Sequence, residues 1–294
     1  MKKRKKLSAG SVVLNIIFIL ICLTYLLPFM LLISISITDE AAIKDFGYNL
    51  IPVKFSLEAY RQVFAARGQL VNSYKTTIIF SLLHTLFLVI VTTMTAYPLS
   101  RSNFKFKKVL TWYIFITMLF GGGLVPTYLI NTKVLHLGNS MWVYVLPGLV
   151  SAWNVIIVRT FFQGIPESLV EAAKMDGASE FYVFIKIMIP LSTPVMATIG
   201  FMTMVAKWND WYTALIYIKD PKLYSLQYML QKILREAEFI KGMASENPNF
   251  NAYSLPTESM RYATAILAAG PMIIVFPFFQ KYFAKGMTIG AVKG

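Results

Sequence analysis

Six long apolar stretches dominate the pattern of hydrophobic and polar positions along this chain of 294 residues. Each is long enough to supply the roughly 20 apolar residues that a helix needs to cross a bilayer. Because lipid offers the backbone no hydrogen-bond partners, the pattern predicts an all-α fold: a polytopic membrane protein with six transmembrane helices. The predicted spans are Val12–Ile35, Thr76–Tyr97, Val109–Ile130, Met141–Phe162, Leu191–Ile218 and Tyr262–Phe283.

Composition supports a membrane protein and leads to a simple division of the chain. Hydrophobic residues make up 56% and charged residues 14%, whereas a soluble domain has roughly 45–50% and about 25%. We expect a basic N-terminus over residues 1–11, a six-helix membrane domain over 12–283 and a C-terminal tail over 284–294.

Two polar segments are long enough to carry structure outside the bilayer. Residues 38–75 include a predicted short helix over Leu57–Ala65. Residues 219–261 include Leu226–Phe239, where apolar positions recur at helical spacing and predict an amphipathic helix. An Asn-, Pro- and Ser-rich stretch, Gly242–Ser254, follows that helix.

The net charge of +14 is distributed so that it predicts an orientation. Lysine and arginine are concentrated in the N-terminus and in the link 99–108, while the link 131–140 has a single lysine. Cytoplasmic loops carry the excess of basic residues, so both termini should be cytoplasmic and residues 38–75 and 219–261 should face outside. Apolar spans separate the basic groups, so a nucleic-acid partner is not expected.

A charged, small-residue-rich loop, Pro166–Pro190, lies between two of the apolar stretches. Glu167–Met175 is composed of good helix formers, and Pro166 suits a first helical turn. Gly177 should break the run by adopting a positive φ, after which Phe181–Ile189 resumes helical spacing. The pattern predicts two short helices joined by a tight turn on the cytoplasmic face, with a simple solvated loop as the alternative.

The loop resembles the EAA loop of ABC importer permeases, which have the MetI-like fold. The resemblance rests on Glu171-Ala172-Ala173, on Gly177 after three intervening residues, and on Ile187-x-Ile189-Pro190, with isoleucine where the family has leucine. It implies that the helix pair docks into a cleft of an ATPase subunit. The implied coupling residues are Glu171, Ala172, Ala173, Asp176 and Gly177, although Asp176 also suits a helix end.

Four further segments are similar to the second, maltose-type permease of carbohydrate importers, in the subgroup linked to oligosaccharide or polysaccharide uptake. They are Gly121–Leu129, Arg159–Gln163, Asn209–Tyr217 and Lys285–Gly294. The resemblance implies a bacterial cytoplasmic membrane, a homologous second permease, two ATPase subunits that bind ATP and Mg, an extracytoplasmic solute-binding protein, a carbohydrate substrate and no cofactor in this chain.

A polar and aromatic cluster interrupts the fifth predicted span. Polar groups at membrane depth are costly and usually face an interior cavity, and aromatic rings with amides suit sugar rings. Lys207 and Asp210 are three residues apart, so they are expected to pair on one helix face. An interfacial aromatic belt is the alternative. The candidates for the substrate path are Trp208, Asn209, Asp210, Trp211 and Tyr212.

Two other features permit more than one interpretation. Gly121–Gly123 favours close helix packing, with an unwound helix at a gate or cavity as the alternative. The resemblance also implies that the loop 219–261 meets the solute-binding protein, with Asn247, Asn249 and Asn251 as contact candidates. The amphipathic helix of that loop also suits the membrane surface.

Catalytic motifs are absent from the sequence. There is no P-loop pattern and no H-E-x-x-H pattern, and His84 and His136 have no acidic or cysteine neighbours. Cys22 is the single cysteine, so no intrachain disulfide is expected. An intramembrane enzyme is therefore disfavoured. A permease for amino acids or peptides and an ion-driven secondary transporter remain as rival interpretations.

Overall fold

The computed structural model of the chain describes residues 9–65, 67–246 and 257–291. The helices are α1 Ala9–Ser36, α2 Glu40–Phe46, α3 Glu58–Ala65, α4 Arg67–Ser100, α5 Lys107–Leu119, α6 Leu124–Leu129, α7 Trp142–Val145, α8 Ala152–Gln163, α9 Glu167–Met175, α10 Glu180–Val183, α11 Ile189–Leu191, α12 Thr193–Trp208, α13 Tyr212–Tyr217, α14 Leu226–Glu246 and α15 Thr257–Ala291. Two π-helical segments, Ile130–Val134 after α6 and Phe184–Met188 between α10 and α11, and a 3₁₀ turn at Pro221–Leu223 complete them. Within these ranges β-structure is limited to one isolated bridge, Thr38 to Phe55.

Three helices, α1, α4 and α15, are long and apolar enough to cross a membrane. Two bent pairs have the same properties when each is taken as one span: Lys107–Leu119 with Leu124–Val134, bent by 113°, and Glu180–Leu191 with Thr193–Trp208, bent by 74°. The described residues therefore provide up to five crossing segments by length and composition. The predicted all-α membrane fold is confirmed, and the count of six spans is not.

The fourth predicted span, Met141–Phe162, is not one continuous helix. It is divided into α7 and α8 by a break that contains Pro147 and Gly148. Proline cannot donate an amide hydrogen bond within a helix, and Gly148 has a φ of +80°. The prediction of this fourth span as a single transmembrane helix is therefore not confirmed.

The third and fifth predicted spans are interrupted as well. At Gly121–Gly123 the chain leaves the helix, and a Cβ atom added at Gly121 or at Gly123 would meet nothing within 4 Å. The chain is therefore unwound at these glycines, as the alternative predicted, and within this chain Gly121 and Gly123 are not sites of close helix packing. In the fifth span, α12 ends at Trp208 and α13 begins at Tyr212, so the polar cluster lies in a break between helices.

By contact, the described chain separates into two compact units. The first contains the described residues within 1–67 and 230–270, and in it the Asp39 side chain caps α2 by accepting from the amide of Ala41 at 3.2 Å. The Glu40 carboxylate accepts from the amides of Glu258, at 3.2 Å, and Ser259, at 3.0 Å. These bonds satisfy amide groups in the first turn of α15, which otherwise have no partner within the helix.

Helix α15 is longer than predicted at both ends. It begins at Thr257, before the predicted start at Tyr262, and it continues through Ala291. The predicted tail, residues 284–294, is therefore helical for most of its length. Its Pro271 and Pro277 lie inside the helix, which membrane helices tolerate because other groups re-satisfy the freed carbonyls.

The second unit, residues 68–229 and 271–291, contains two apolar clusters that position the candidate sites. One packs Leu88 and Ala96 of α4 with residues of α8 and with Val170 of α9. The other is centred on Phe80 of α4 and Tyr144 of α7, whose rings stack at 4.3 Å between centroids. The first cluster carries the loop 166–190, and the second carries α13.

Helix α14 confirms the amphipathic prediction and extends it. Leu226, Met229 and Leu230, all on the predicted apolar face, are buried. The helix continues past the predicted end at Phe239 to Glu246. The short helix predicted over Leu57–Ala65 is also found, as α3.

Candidate functional sites

Helix α9 has the predicted bounds and stands out from the apolar cluster. Val170 on its inner face is 1% exposed, whereas Met175 at its C-terminal end is 84% exposed. Pro166 takes the N-cap position with an extended ψ of 128°, so it precedes the first turn rather than lying in it. One anchored face and one projecting tip make α9 a rigid protrusion.

The turn after α9 is closed by its own backbone. Gly177 has a φ of +80°, as predicted. Its amide donates to the carbonyl of Lys174 at 3.0 Å, and the amide of Ala178 donates to the carbonyl of Ala173 at 2.9 Å. This pair of bonds is the Schellman motif, which ends a helix at a left-handed residue.

The candidate coupling residues are brought together on this protrusion, and most of them face outward. Glu171, Ala172, Asp176 and Gly177 are exposed, while Ala173 is half-buried against the apolar cluster. Among the described residues, no cation of this chain forms an ion pair with Glu171. Asp176 is the C-cap of α9, which agrees with the interpretation that it suits a helix end. The Glu171 carboxylate is therefore available to a partner outside the chain.

A second turn of the protrusion carries contacts that sequence reasoning missed. Ser179 caps α10 by accepting from the amide of Tyr182 at 3.2 Å. Glu180 accepts a hydrogen bond from the hydroxyl of Tyr97 and forms an ion pair with Lys174. Tyr97 belongs to α4, eighty-three positions earlier, so no local spacing pattern indicates this contact.

Glu167 ties the start of α9 to the end of α4. Its carboxylate lies 3.7 Å from the guanidinium of Arg101 and accepts from the hydroxyl of Ser102 at 3.0 Å. The basic link 99–108 and the loop 166–190 therefore lie on the same side of this unit. The two segments were placed on one face by counting spans, although their contact was not anticipated.

The candidates for the substrate path occupy the break between α12 and α13. Trp208 is 2% exposed, with its ring centroid 6.4 Å from that of Tyr74. The Asn209 side chain is exposed, and its oxygen accepts from the Nε2 of Gln227 at 3.1 Å. Gln227 lies in α14, so the amide cluster includes a residue that sequence analysis had assigned only to an amphipathic helix.

Asp210 has two roles in this break. Its Oδ2 lies 3.6 Å from the Nζ of Lys207, so the predicted pair forms. It does not form on one helix face, because Asp210 lies beyond the end of α12. Its carboxylate caps α13 by accepting from the amide of Thr213 at 3.0 Å and from its hydroxyl at 2.7 Å.

Trp211 and Tyr212 are adjacent aromatic residues with different exposure. Their rings meet edge to face at 5.7 Å, and Tyr212 is exposed while Trp211 is half-buried. The three proposed contacts of the outer loop, Asn247, Asn249 and Asn251, lie outside the described residues.

His84 is packed in the interior and contacts the backbone of α7. It is buried, and its Nδ1 lies 2.7 Å from the carbonyl oxygen of Val145. In the described part of the chain, no three His, Cys, Asp or Glu side chains are arranged to hold a metal ion.

Several apolar helices, two of them bent pairs, are those of a multi-pass membrane protein. Residues 5–289 match the family described as "Binding-protein-dependent transport system inner membrane component", and the chain belongs to that family. The family acts in binding-protein-dependent systems, in which the membrane component works with ATPase subunits and a solute-binding protein. The chain is therefore a non-enzymatic permease subunit.

Individual relatives resemble the chain over nearly its whole length. It is 37% identical to Protein LplC of Bacillus subtilis, over 92% of this chain and 90% of that protein. It is 36% identical to the polygalacturonan/rhamnogalacturonan transport system permease protein YtcP of the same organism, over 95% of both. A crystal structure of a bacterial ABC transporter involved in import of the acidic polysaccharide alginate contains a chain with a TM-score of 0.79 and 27% identity, covering 95% of this chain and 100% of that one.

Proposed function

We propose that the chain is a membrane subunit of a bacterial ABC importer that carries an oligosaccharide or a polysaccharide fragment into the cell. Support comes from relatives and a structural neighbour whose names refer to polygalacturonan, rhamnogalacturonan and alginate. Aromatic rings beside amide groups at Trp208–Tyr212 give further support, because sugars present apolar faces and hydroxyl edges.

The proposed complex contains this chain, a homologous second permease, two ATPase subunits and an extracytoplasmic solute-binding protein in a bacterial cytoplasmic membrane. ATP and Mg are bound by the ATPase subunits, and this chain holds no cofactor and binds no nucleic acid. Both termini face the cytoplasm. A cysteine placed at Asn249 should react with impermeant reagents from outside the cell, and reaction only from the cytoplasm would contradict this orientation.

The observation that carries the coupling proposal is the fixed protrusion at α9, with Val170 held in the core and Met175 exposed. When the ATPase pair closes on ATP, it moves α9, with Glu171 paired to a basic group of the ATPase. The motion reaches α4 through the contacts of Glu167 with Arg101 and of Glu180 with Tyr97. A rigid element held at two points transmits rigid-body motion, so the cavity alternates between its inward and outward openings.

On the outer side, we propose that the solute-binding protein delivers sugar through contacts with Asn247, Asn249 and Asn251. The sugar then passes the break at Trp208–Tyr212, where Asn209 and Tyr212 are exposed. In this scheme the aromatic faces stack on sugar rings, and the amides accept and donate to hydroxyl groups.

Reconstitution of the complete transporter in vesicles tests the cargo. ATPase activity should rise with the cognate binding protein loaded with an oligosaccharide and should not rise with peptides or amino acids. Stimulation by peptides instead would favour the rival permease class. Uptake driven by an ion gradient without ATPase subunits would favour the secondary transporter.

A further inference from the structure

A basic cavity between α5 and α8 is lined by none of the residues of the α9 protrusion or of the break at Trp208–Tyr212. Its volume is about 340 Å³, within the usual range for ligand pockets. It is lined by Phe104, Lys105, Lys107, Lys108, Thr111, Trp112 and Arg159. Four of these seven side chains are cations, and none is an acid.

The guanidinium of Arg159 in the cavity lining is only partly paired. Its Nη1 donates to the hydroxyl of Thr111 at 3.1 Å, while its Nε is buried and has no hydrogen-bond partner among the described residues. The hydroxyl of Thr111 in turn donates to the carbonyl of Lys107. Buried donors are nearly always paired in folded proteins, and a guanidinium suits the oxygens of a phosphate.

The three lysines also lack a counter-charge. Across the part of the chain that the structure describes, no carboxylate lies at ion-pair distance from Lys105, Lys107 or Lys108. Arg101, in the same link, differs because it pairs with Glu167. The cavity therefore gathers positive charge that the protein neutralises elsewhere in the link but not here.

An apolar surface continues directly from the cavity. Helix α5 begins at Lys107, and its Val109, Trp112 and Tyr113 are all exposed. Cations at one end of an apolar span, with Trp and Tyr beside them, are typical of the level where lipid headgroups meet acyl chains. The cavity belongs to the link 99–108, which lies on the side of the α9 protrusion and hence at the proposed cytoplasmic leaflet.

We propose that this cavity binds the phosphate of an anionic phospholipid, whose acyl chains lie along the exposed face of α5. The three lysines and the guanidinium of Arg159 surround the headgroup phosphate and supply its counter-charge. Basic pockets on the cytoplasmic side of membrane helices are suited to such headgroups. The inference does not depend on the cargo, and it shares with the proposed function only the orientation of the chain.

Lipid titration of the complete, delipidated transporter tests this site. Phosphatidylglycerol and phosphatidylcholine are added separately, and bound lipid is read by native mass spectrometry. Phosphatidylglycerol should bind the wild type, and the triple variant Lys105→Gln, Lys107→Gln, Lys108→Gln should bind it at least about tenfold more weakly. Replacement of the same three lysines with arginine should preserve binding, which separates loss of charge from a folding defect.

A matched variant neutralises three lysines away from the cavity: Lys133→Gln, Lys219→Gln and Lys222→Gln. It should bind phosphatidylglycerol as the wild type does, and equal weakening in both glutamine variants would overturn the proposal. Equal binding of phosphatidylcholine and phosphatidylglycerol by the wild type would also overturn it. If inorganic phosphate bound as tightly as phosphatidylglycerol and displaced it, the occupant would be a free phosphate and the lipid assignment would fail.

Discussion

Gly177 and Gly123 both adopt a positive φ, at +80° and +79°, and a Cβ added at either would meet nothing within 4 Å. Their backbones nevertheless differ. In the turn after α9, the amides of Gly177 and Ala178 both donate to carbonyls of α9. Around Gly123, by contrast, no acceptor within the described residues is found for the amides of Gly121, Gly122 and Gly123.

The turn at Gly177 satisfies its own amides, whereas the amides at Gly121–Gly123 need hydrogen-bond acceptors from outside this chain. Hydrocarbon cannot satisfy open amides, so irregular backbone at membrane depth is tolerated only inside protein or beside a water-filled cavity. In the isolated chain, residues Phe120–Gly123 are exposed. We therefore expect a partner subunit or water, rather than lipid, to cover the break at Gly121–Gly123.

The largest effect is expected at the turn after α9. Gly177→Val forces a β-branched residue to a positive φ, at a cost of about 1–3 kcal/mol, and α9 and α10 should splay apart. Co-purification of the ATPase subunit and transport should both fall, while membrane insertion is unchanged. Gly177→Asn is the matched control, because asparagine tolerates this conformation, and it should retain most activity. Wild-type assembly of the valine variant would show that the turn does not position the protrusion.

A nearly equal effect is expected at Glu171, which does not take part in the turn. Glu171→Ala removes one proposed contact, which becomes a buried charge pair only in the complex and then costs at most about 3–5 kcal/mol, but it leaves the shape of the protrusion intact, so ATPase stimulation and transport should fall slightly less than on loss of the turn. The fold of this chain should not change, because Glu171 is exposed. Glu171→Asp keeps the charge and should recover part of the activity. Full stimulation in the alanine variant would remove Glu171 from the coupling interface.

Sequence patterns predicted the protrusion well because its determinants are local. The bounds of α9, the positive φ of Gly177 and the exposure of Glu171 follow from helix propensity and cap chemistry within a few residues. The contacts that fix α9 to α4, from Glu167 to Arg101 and from Glu180 to Tyr97, depend on tertiary packing. Such contacts leave no periodic signal.

The membrane helices were predicted less well, for a physical reason. Apolar composition identifies segments that can be buried in lipid, but it does not show whether the backbone within them is continuous. Breaks at Gly123, at Gly148 and after Trp208 are compatible with an unbroken apolar stretch. At two of these breaks a glycine within the apolar stretch was the sequence signal to which the prediction gave too little weight, because glycine readily adopts a positive φ.

A smaller effect is expected at the break between α5 and α6. Gly123→Val places a side chain at a φ of +79°, whereas Gly121→Val has no such constraint, and both have open space around the new Cβ in this chain. Transport should fall several-fold for the first variant only, with the ATPase complex still assembled. Equal losses in the two variants would indicate that a partner packs against the glycines, so that volume rather than backbone conformation decides.

The smallest effect is expected at Thr127, which supports the same break from one turn above. Its hydroxyl donates to the carbonyl of Gly123 at 2.7 Å, and its amide approaches that carbonyl at 3.4 Å. Thr127→Val keeps the shape and removes one exposed hydrogen bond, worth about 0.5 kcal/mol at the lower end of the usual range, so transport should fall by only about twofold. Thr132→Val removes an equivalent bond to the carbonyl of Tyr128 away from the break, and it should have less effect. If both variants lost transport equally, the hydroxyl of Thr127 would have no special role in holding the break. The two glycine sites would then differ only in whether their backbone amides are hydrogen-bonded.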